Sequence, residues 1–443
     1  MKKRRAVMAA VAVLCAGVIA VGFSGCEWFS FNGKHNTPTG VPDTLGYYGS
    51  DTAAWLTSKS ESPLEERYRE YQAAIQSGLF TEEDLSFADY LKAMKEDSAS
   101  LSSALRASVL IQTNKSLGSG VIYSIADEAN ANGSKNAYVI TNNHVIEGSS
   151  SIYTYLYGDN YTVDSILPSA LETTNVGSSK TEDIAVLSVE IPEDRLDFVQ
   201  AVSAAVGTRD SDTAKVGEKI YAIGNPLGYG ISVLSGSVSV EVENEYVVSR
   251  LSMRIDAPVT HGSSGGGLFD REGKLVGIVY GGLDQKVLDS NGDESTVSIT
   301  GFGWAIPANR ALSVAQCIID NYELNRNGAA TYGLLGTLEV ESSRGEFDPL
   351  TQTVDIIEEV KIATVNSGSP FNDPSNSVKG KIIKSITVEK QGEMSVNLVI
   401  KRKHQVETVL FNIRKGDSVT LNFADGSSAE ATFSDLSHFS VKR

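Results

Sequence analysis

The sequence predicts a mainly β fold, and three observations carry that expectation. Short runs of β-branched and aromatic residues recur between turns from about Ala107 to Ala305, the pattern of small barrels. A histidine, an aspartate and a serine lie beside such runs in that chain order: His144 after Val139-Ile140-Thr141, Asp183 before Ile184-Ala185-Val186-Leu187, and Ser264 within Thr260-His261-Gly262-Ser263-Ser264-Gly265-Gly266-Gly267. After Ser264 the chain reads strand, turn, strand from Leu268 to Val279.

Ser264 is the centre of the predicted chemistry. A serine hydroxyl becomes a useful nucleophile when a base takes its proton and N–H groups hold the oxyanion that its attack creates. Gly262 can adopt backbone angles closed to other residues, so its N–H and that of Ser264 can turn toward one point; Ser263 lies between them. Gly262-Ser263-Ser264-Gly265-Gly266 also fits the G-x-S-x-G elbow of α/β-hydrolases, but an elbow needs a helix after the serine and partners downstream. Only His404 and His438 follow. A lone histidine at a strand end is more often structural, and it is the glycine-flanked serine and the aspartate that make His144 the predicted base. On spacing alone, Asp164 or Asp210 could stand in place of Asp183.

Composition narrows the function classes. A chain of 443 residues should hold two or three domains. The formal net charge of −17 argues against nucleic acid and against an anionic membrane surface as direct partners. Neither metal-ligand spacing nor a phosphate loop or nucleotide fingerprint is present, which fits a hydrolase without cofactor or metal. Of three cysteines, Cys15 lies in the leader, Cys26 directly follows it, and Cys317 falls on a predicted helix as a small core residue, so no disulfide framework is expected.

The elements follow in order. Lys2-Lys3-Arg4-Arg5 and the apolar run Ala6 to Phe23 form an export signal. Its end, Phe23-Ser24-Gly25-Cys26, resembles the bacterial lipobox, with Cys26 as the acylated first residue of the mature chain; the competing reading is an uncleaved anchor, since the run just reaches the ~18 residues that span a bilayer. Residues 26–52 read as a stalk rich in Gly, Pro, Asn and Thr. Residues 53–104 read as helical. Ser62-Pro63-Leu64-Glu65-Glu66 opens one helix with Tyr68, Tyr71, Ala74 and Ile75 on a face, and Thr81-Glu82-Glu83-Asp84 opens another. Ala54–Lys59 faintly echoes Asp89–Lys95, though a plain amphipathic pair explains both.

Strands are predicted at Val109–Gln112, Gly120–Tyr123, Ala137–Thr141 and Ser151–Tyr155, with a polar loop at Ala126–Ser134. A second set covers Lys219–Ile223, Val233–Val240, Tyr246–Ile255, Leu275–Tyr280 and Ser298–Ala305. Ala308–Tyr322 closes it as a helix burying Ala311, Val314, Ala315, Ile318 and Ile319. Asn325–Ala330 is a linker. Beyond it, Val406–Ile413 and Arg414–Leu421 are read as strands.

Gly118-Ser119-Gly120-Val121-Ile122, Thr141-Asn142-Asn143-His144-Val145-Ile146, Asp183-Ile184-Ala185-Val186-Leu187, Ile223-Gly224-Asn225-Pro226-Leu227-Gly228, Gly262-Ser263-Ser264-Gly265-Gly266 and Gly301-Phe302-Gly303-Trp304-Ala305-Ile306-Pro307 resemble the successive motifs of HtrA-family (DegP/DegS-like) serine proteases. The run covers about half the chain. It implies a chymotrypsin-like double six-stranded barrel over residues 105–324, with His144, Asp183 and Ser264 as the triad and Gly262, Ser263 and Ser264 at the oxyanion hole; the His-Asp-Ser order is that of the chymotrypsin template. The match at Asp183 chooses it over Asp164 and Asp210. One departure concerns the nucleophile loop, where the family commonly has proline and this chain has His261. Pro258, at the position where trypsin-like enzymes keep an acid, implies a preference for apolar residues.

Residues 330–435 resemble a PDZ domain more weakly: Tyr332-Gly333-Leu334-Leu335-Gly336 resembles its carboxylate-binding loop, Val365–Phe371 the turn before its second helix, and Gly380-Lys381-Ile382-Ile383 its Gly-Asp-x-Ile strand, with Lys381 in place of Asp. A generic β-rich accessory domain is the alternative. These resemblances imply an exported lipoprotein, on the outer face of the cytoplasmic membrane or the periplasmic side in a two-membrane cell. They imply a homotrimer that cleaves misfolded or signalling proteins and binds their C-terminal segments. A catalytically silent peptide sensor or chaperone on a protease scaffold is the alternative function.

Overall fold

Strands buried on both faces account for the continuous apolar runs of this sequence. The computed structural model describes residues 68, 71–72, 75–76, 97–245, 250–288, 294–323, 335–349, 351–375, 377–390, 395–414 and 416–433. The leader, Cys26, the stalk, the helix predicted after Thr81, and Tyr332, Gly333 and Leu334 lie outside them. Positions 68, 71–72 and 75–76 are helical, with Tyr71 buried and Tyr68 half exposed. Residues 1–99 and 100–443 separate into two units.

The first barrel is closed in the order β1-β2-β3-β6-β5-β4 from β1 (Ser108–Thr113), β2 (Leu117–Ile125), β3 (Lys135–Thr141), β4 (Ile152–Leu156), β5 (Leu171–Ser179) and β6 (Ile184–Ile191). The second closes as β10-β11-β12-β9-β8-β7, from β7 (Lys219–Gly224), β8 (Ser232–Glu245), β9 (Arg250–Ile255), β10 (Gly267–Phe269), β11 (Leu275–Leu288) and β12 (Glu294–Pro307). The double-barrel expectation therefore holds. Strand β5 was not expected: Leu171–Ser179 has few apolar residues and is largely exposed or half-exposed, with only Thr173 and Ser179 buried.

Alternation along the strands divides their side chains between two cores. On β3 and β6, Val139, Ala185 and Leu187 fill the first barrel. Their neighbours Ile140, Ile184 and Val186 instead face a core shared with Tyr221, Ile223, Phe269 and Ile278 of the second barrel. Helix α1 (Asp97–Ala107) adds Leu101, Ala104 and Ala107 to this core, and α3 (Ala308–Glu323) adds Ala311, Val314, Ala315, Ile318 and Ile319 as expected. Each buried Val or Ile contributes roughly 1.5–3 kcal/mol of transfer free energy, so the seam between the barrels is held by an apolar core continuous with both helices. Cys317 is buried and forms no disulfide among the described residues. The single-turn helix α2 (Asn143–Ile146) follows β3 directly.

The C-terminal part is a sheet in the order β13-β14-β15-β17-β18, with β16 beside β15. Its strands are β13 (Leu338–Asp348), β14 (Thr353–Ile362), β15 (Ile382–Glu389), β16 (Val396–Val399), β17 (Ser418–Phe423) and β18 (Ser428–Thr432). Two expectations are corrected here. Val406–Ile413 is mostly the helix α4 (Lys403–Phe411), because Val406, Leu410 and Ile413 are spaced by four and three and turn one stripe into the sheet's core. After Phe371 the described residues form turns up to β15 rather than a second helix.

Helix α4 joins this sheet to the barrels. Phe411 belongs to the barrel core, and Asn412 Nδ2 donates to Ser313 Oγ on α3 at 2.8 Å. Arg310 of α3, 2% exposed, reaches Glu182 and Glu407, each at 3.2 Å, and donates from Nε to Thr408 Oγ1 at 3.0 Å. Asp212 meets His404 Nε2 at 3.1 Å and accepts from Gln405 Nε2 at 2.9 Å.

Candidate active site

Asp183 is one of few non-glycine residues with positive φ, at 55°, a conformation that aspartate tolerates better than most residues. The turn is fixed by its neighbours: the Asp183 carbonyl accepts from Asn142 Nδ2 at 2.9 Å and from the Asn143 N–H at 3.2 Å. This presses the start of β6 against α2. The carboxylate then receives the His144 N–H on Oδ1 at 2.9 Å and faces His144 Nδ1 from Oδ2 at 2.7 Å. A carboxylate only accepts, so Nδ1 carries the proton and Nε2 is left as the basic nitrogen. The Asp183 side chain is 4% exposed and the imidazole 44%, so the base opens to solvent while its partner is sealed.

Ser264 comes from the second barrel. Its hydroxyl donates to the Tyr280 carbonyl at 2.9 Å, and the Tyr280 ring meets the His144 ring edge-on with centroids 5.6 Å apart. Tyr280 on β11 thus touches both predicted partners. Among the described residues no hydrogen bond joins Ser264 Oγ to His144.

The loop before Ser264 is shaped by Gly262, whose φ is 89°; a Cβ there would lie 2.2 Å from the Asn225 carbonyl oxygen. The His261 carbonyl accepts from the Leu227 N–H at 2.7 Å, and in a trans peptide this turns the Gly262 N–H to the opposite side. Ser263 N–H is used within the turn, donating to the Thr260 carbonyl at 3.0 Å. The N–H groups of Gly262 and Ser264 donate to no protein acceptor among the described residues, so of the three residues assigned to the oxyanion site only these two have an N–H to offer.

Sequence reasoning missed the residue that ties this loop to the first barrel. Ser119 is fully buried; its N–H donates to the Ser264 carbonyl at 2.8 Å, its Oγ donates to the Gly262 carbonyl at 2.7 Å, and the same Oγ accepts from the Asn225 N–H at 2.8 Å. Its place in Gly118-Ser119-Gly120 was the available signal. Arg250 was missed as well: its guanidinium lies 3.2 Å from Asp183 Oδ2 and 4.4 Å above the centroid of the Tyr280 ring.

The remaining predicted residues fall elsewhere. Leu335 is buried in the core of the C-terminal sheet, so its side chain is not offered to a ligand. His261 and Pro258 are exposed. Glu182, beside Asp183, is held above the ordinary glutamate range because burial outweighs the opposing pull of Arg310. Among the described residues no cluster of His, Cys, Asp or Glu could hold a metal ion, and no helix is long and apolar enough to cross a membrane.

Residues 118–278 match the family described as trypsin-like peptidase domain. The chain is 33% identical over 234 residues to the periplasmic pH-dependent serine endoprotease DegQ of Escherichia coli K12, covering 52% of this chain and 42% of that protein. It is 27% identical over 337 residues to the periplasmic serine endoprotease DegP of Salmonella typhimurium, covering 73% and 60%. The chain therefore spans about half the length of these relatives. The solved structure of the HtrA-type protease AlgW with tripeptide is 23% identical and covers 76% of this chain and 95% of its own, with a TM-score of 0.43. With two closed six-stranded barrels and the family match over residues 118–278, the chain carries a trypsin-like peptidase domain, similar in sequence to the DegQ and DegP serine endoproteases.

Proposed function

We propose that this chain is an extracytoplasmic serine endopeptidase, with Ser264 as nucleophile, His144 as general base and Asp183 as its orienting partner. The observation that carries the reading is the His144 Nδ1 to Asp183 Oδ2 contact at 2.7 Å, which directs Nε2 outward in a site where the hydroxyl of Ser264 shares Tyr280 with the imidazole. On substrate binding the Ser264 hydroxyl leaves the Tyr280 carbonyl, passes its proton to His144 Nε2 and attacks the peptide carbonyl. The Gly262 and Ser264 N–H groups receive the oxyanion. His144 then protonates the departing amine, and water repeats the sequence on the acyl-enzyme. Ser264→Ala should keep the fold and abolish cleavage of casein, since loss of a triad member typically costs ~10⁴-fold or more; undiminished cleavage would reject the assignment.

The substrates proposed are unfolded or C-terminal segments of proteins, and the C-terminal sheet is proposed as a PDZ-like regulator with its loop at Tyr332–Leu335. The docking of α4 on α3 through Arg310, which also holds Glu182 beside Asp183, favours coupling between the two parts. Typical coupling of 1–3 kcal/mol gives roughly 5- to 150-fold activation by C-terminal peptides. A truncation ending at Asn327 with an unchanged basal rate, and no activating peptide for the full chain, would reduce this part to a tether. The catalytically silent sensor is favoured by one observation, the Ser264 hydroxyl bonded to Tyr280 instead of His144. A membrane tether through acylated Cys26 is proposed from the sequence; Cys26→Ser should then block incorporation of labelled fatty acid. A trimer, as the family resemblance implies, would appear as three times the chain mass by light scattering.

A further inference from the structure

The predicted triad accounts for two of the groups around the Asp183 carboxylate and leaves the third without a role. Oδ1 receives the His144 N–H and Oδ2 faces Nδ1, but Oδ2 also stands 3.2 Å from the guanidinium of Arg250. The carboxylate is 4% exposed and Arg250 18%. A buried carboxylate beside a neutral imidazole lacks a counter-charge, and buried charges persist when they are paired. Arg250 supplies that charge.

The guanidinium is itself located from the other side. It lies over the Tyr280 ring at 4.4 Å, a stacking geometry that suits the planar cation and is stronger when partly desolvated. Arg250 and Tyr280 belong to β9 and β11 of the second barrel, whereas His144 and Asp183 belong to the first. The Arg250–Asp183 ion pair therefore crosses the seam that separates base from nucleophile, and the stack ends on the residue whose carbonyl holds the Ser264 hydroxyl.

We propose that Arg250 is a positioning residue for the reaction: it fixes the Asp183 carboxylate, and through it the His144 ring, relative to the Tyr280 strand and Ser264. The proposal rests on the reading of His144, Asp183 and Ser264 as the triad. It touches neither substrate nor the reacting atoms, so its effect should fall on kcat and leave KM nearly unchanged.

The test uses the full chain with a reporter peptide. Arg250→Met keeps the apolar stem on the ring but removes the charge, and should lower kcat about 10- to 100-fold, the scale on which a nearby opposite charge stabilises a carboxylate, with KM within about twofold. Arg250→Lys keeps the charge without the planar fork and should lose only several-fold. In an Asp183→Asn background Arg250→Met should cost nothing further, because residues acting through one another are not additive. The downfield Nδ1 proton resonance of His144 should also move in both single variants. Should Arg250→Met fail to fold, Arg250→Lys carries the test through its kcat and that resonance. Wild-type kcat with an unmoved resonance in the variants, or an equal loss on the Asp183→Asn background, overturns the proposal while the triad reading stands. A wild-type chain inert to a fluorophosphonate removes the triad reading, and this proposal with it.

Discussion

Adding a single carbon at Gly262 should separate folding from catalysis in this site. In Gly262→Ala the new Cβ would start 2.2 Å from the Asn225 carbonyl oxygen and 3.3 Å from the Leu227 nitrogen. Both are backbone atoms, and Leu227 is bound to the preceding residue, His261, so no side chain can swing away. Reaching the 3.0 Å that real Cβ atoms respect demands a shift of about 0.8 Å, and the φ of 89° adds a left-handed penalty of roughly 1–2 kcal/mol for alanine. The Gly262 N–H moves with the turn. Loss of one oxyanion donor costs about 10²–10³ in kcat, and a misplacement near 1 Å is enough to cost ~10²-fold. We expect hydrolysis of a reporter peptide to fall about 100- to 1000-fold at a temperature where circular dichroism shows the variant folded, with its Tm lowered by several degrees. A folded variant within about threefold of wild type would refute the role given to this N–H.

Three further outcomes follow from the same contacts. Ser119→Ala strands the part-buried Gly262 carbonyl and the buried Asn225 N–H, each at up to about 1–3 kcal/mol, so thermal unfolding should come earlier and kcat should drop while KM holds. Arg310→Met leaves the Glu182 and Glu407 carboxylates without their buried cation, which should cost about 3–5 kcal/mol in denaturant titrations and be partly restored by adding Glu182→Gln. For Asp212, burial works to raise the pKa, but the hydrogen bonds from His404 and Gln405 outweigh it and hold the group below the ordinary aspartate range. A depressed folded value means stability present above the unfolded value of about 3.9 and lost as pH falls through the folded one. The wild-type Tm should therefore fall more steeply below about pH 4 than that of Asp212→Asn.

Much of the fold was legible because its strands carry their own chemistry. Val139-Ile140 and Ile184-Ala185-Val186-Leu187 are apolar on both faces, as strands between two cores must be, and each run lies close to a residue of the candidate site. Helix α4 was misread because Val406, Thr408, Val409 and Phe411 are all good strand formers. Its start is marked by Gln405, whose Oε1 accepts from the Arg402 N–H at 3.0 Å, a capping arrangement without the usual serine or threonine. Ser119 and Arg250 could not be assigned from spacing: Ser119 bonds to residues 106 and 143 positions away, and Arg250 opens β9 with no motif around it. Their roles arise only when the barrels close on one another.

The central claim is that Ser264 is an activated nucleophile, and covalent labelling tests it most directly. A fluorophosphonate reacts with a serine whose hydroxyl can pass its proton to a neighbouring base, so the full chain should gain one phosphonyl group, located by peptide mass spectrometry on Ser264. His144→Ala should slow that labelling by orders of magnitude. An unlabelled wild-type chain that is folded, or a label on any other serine, would contradict the account.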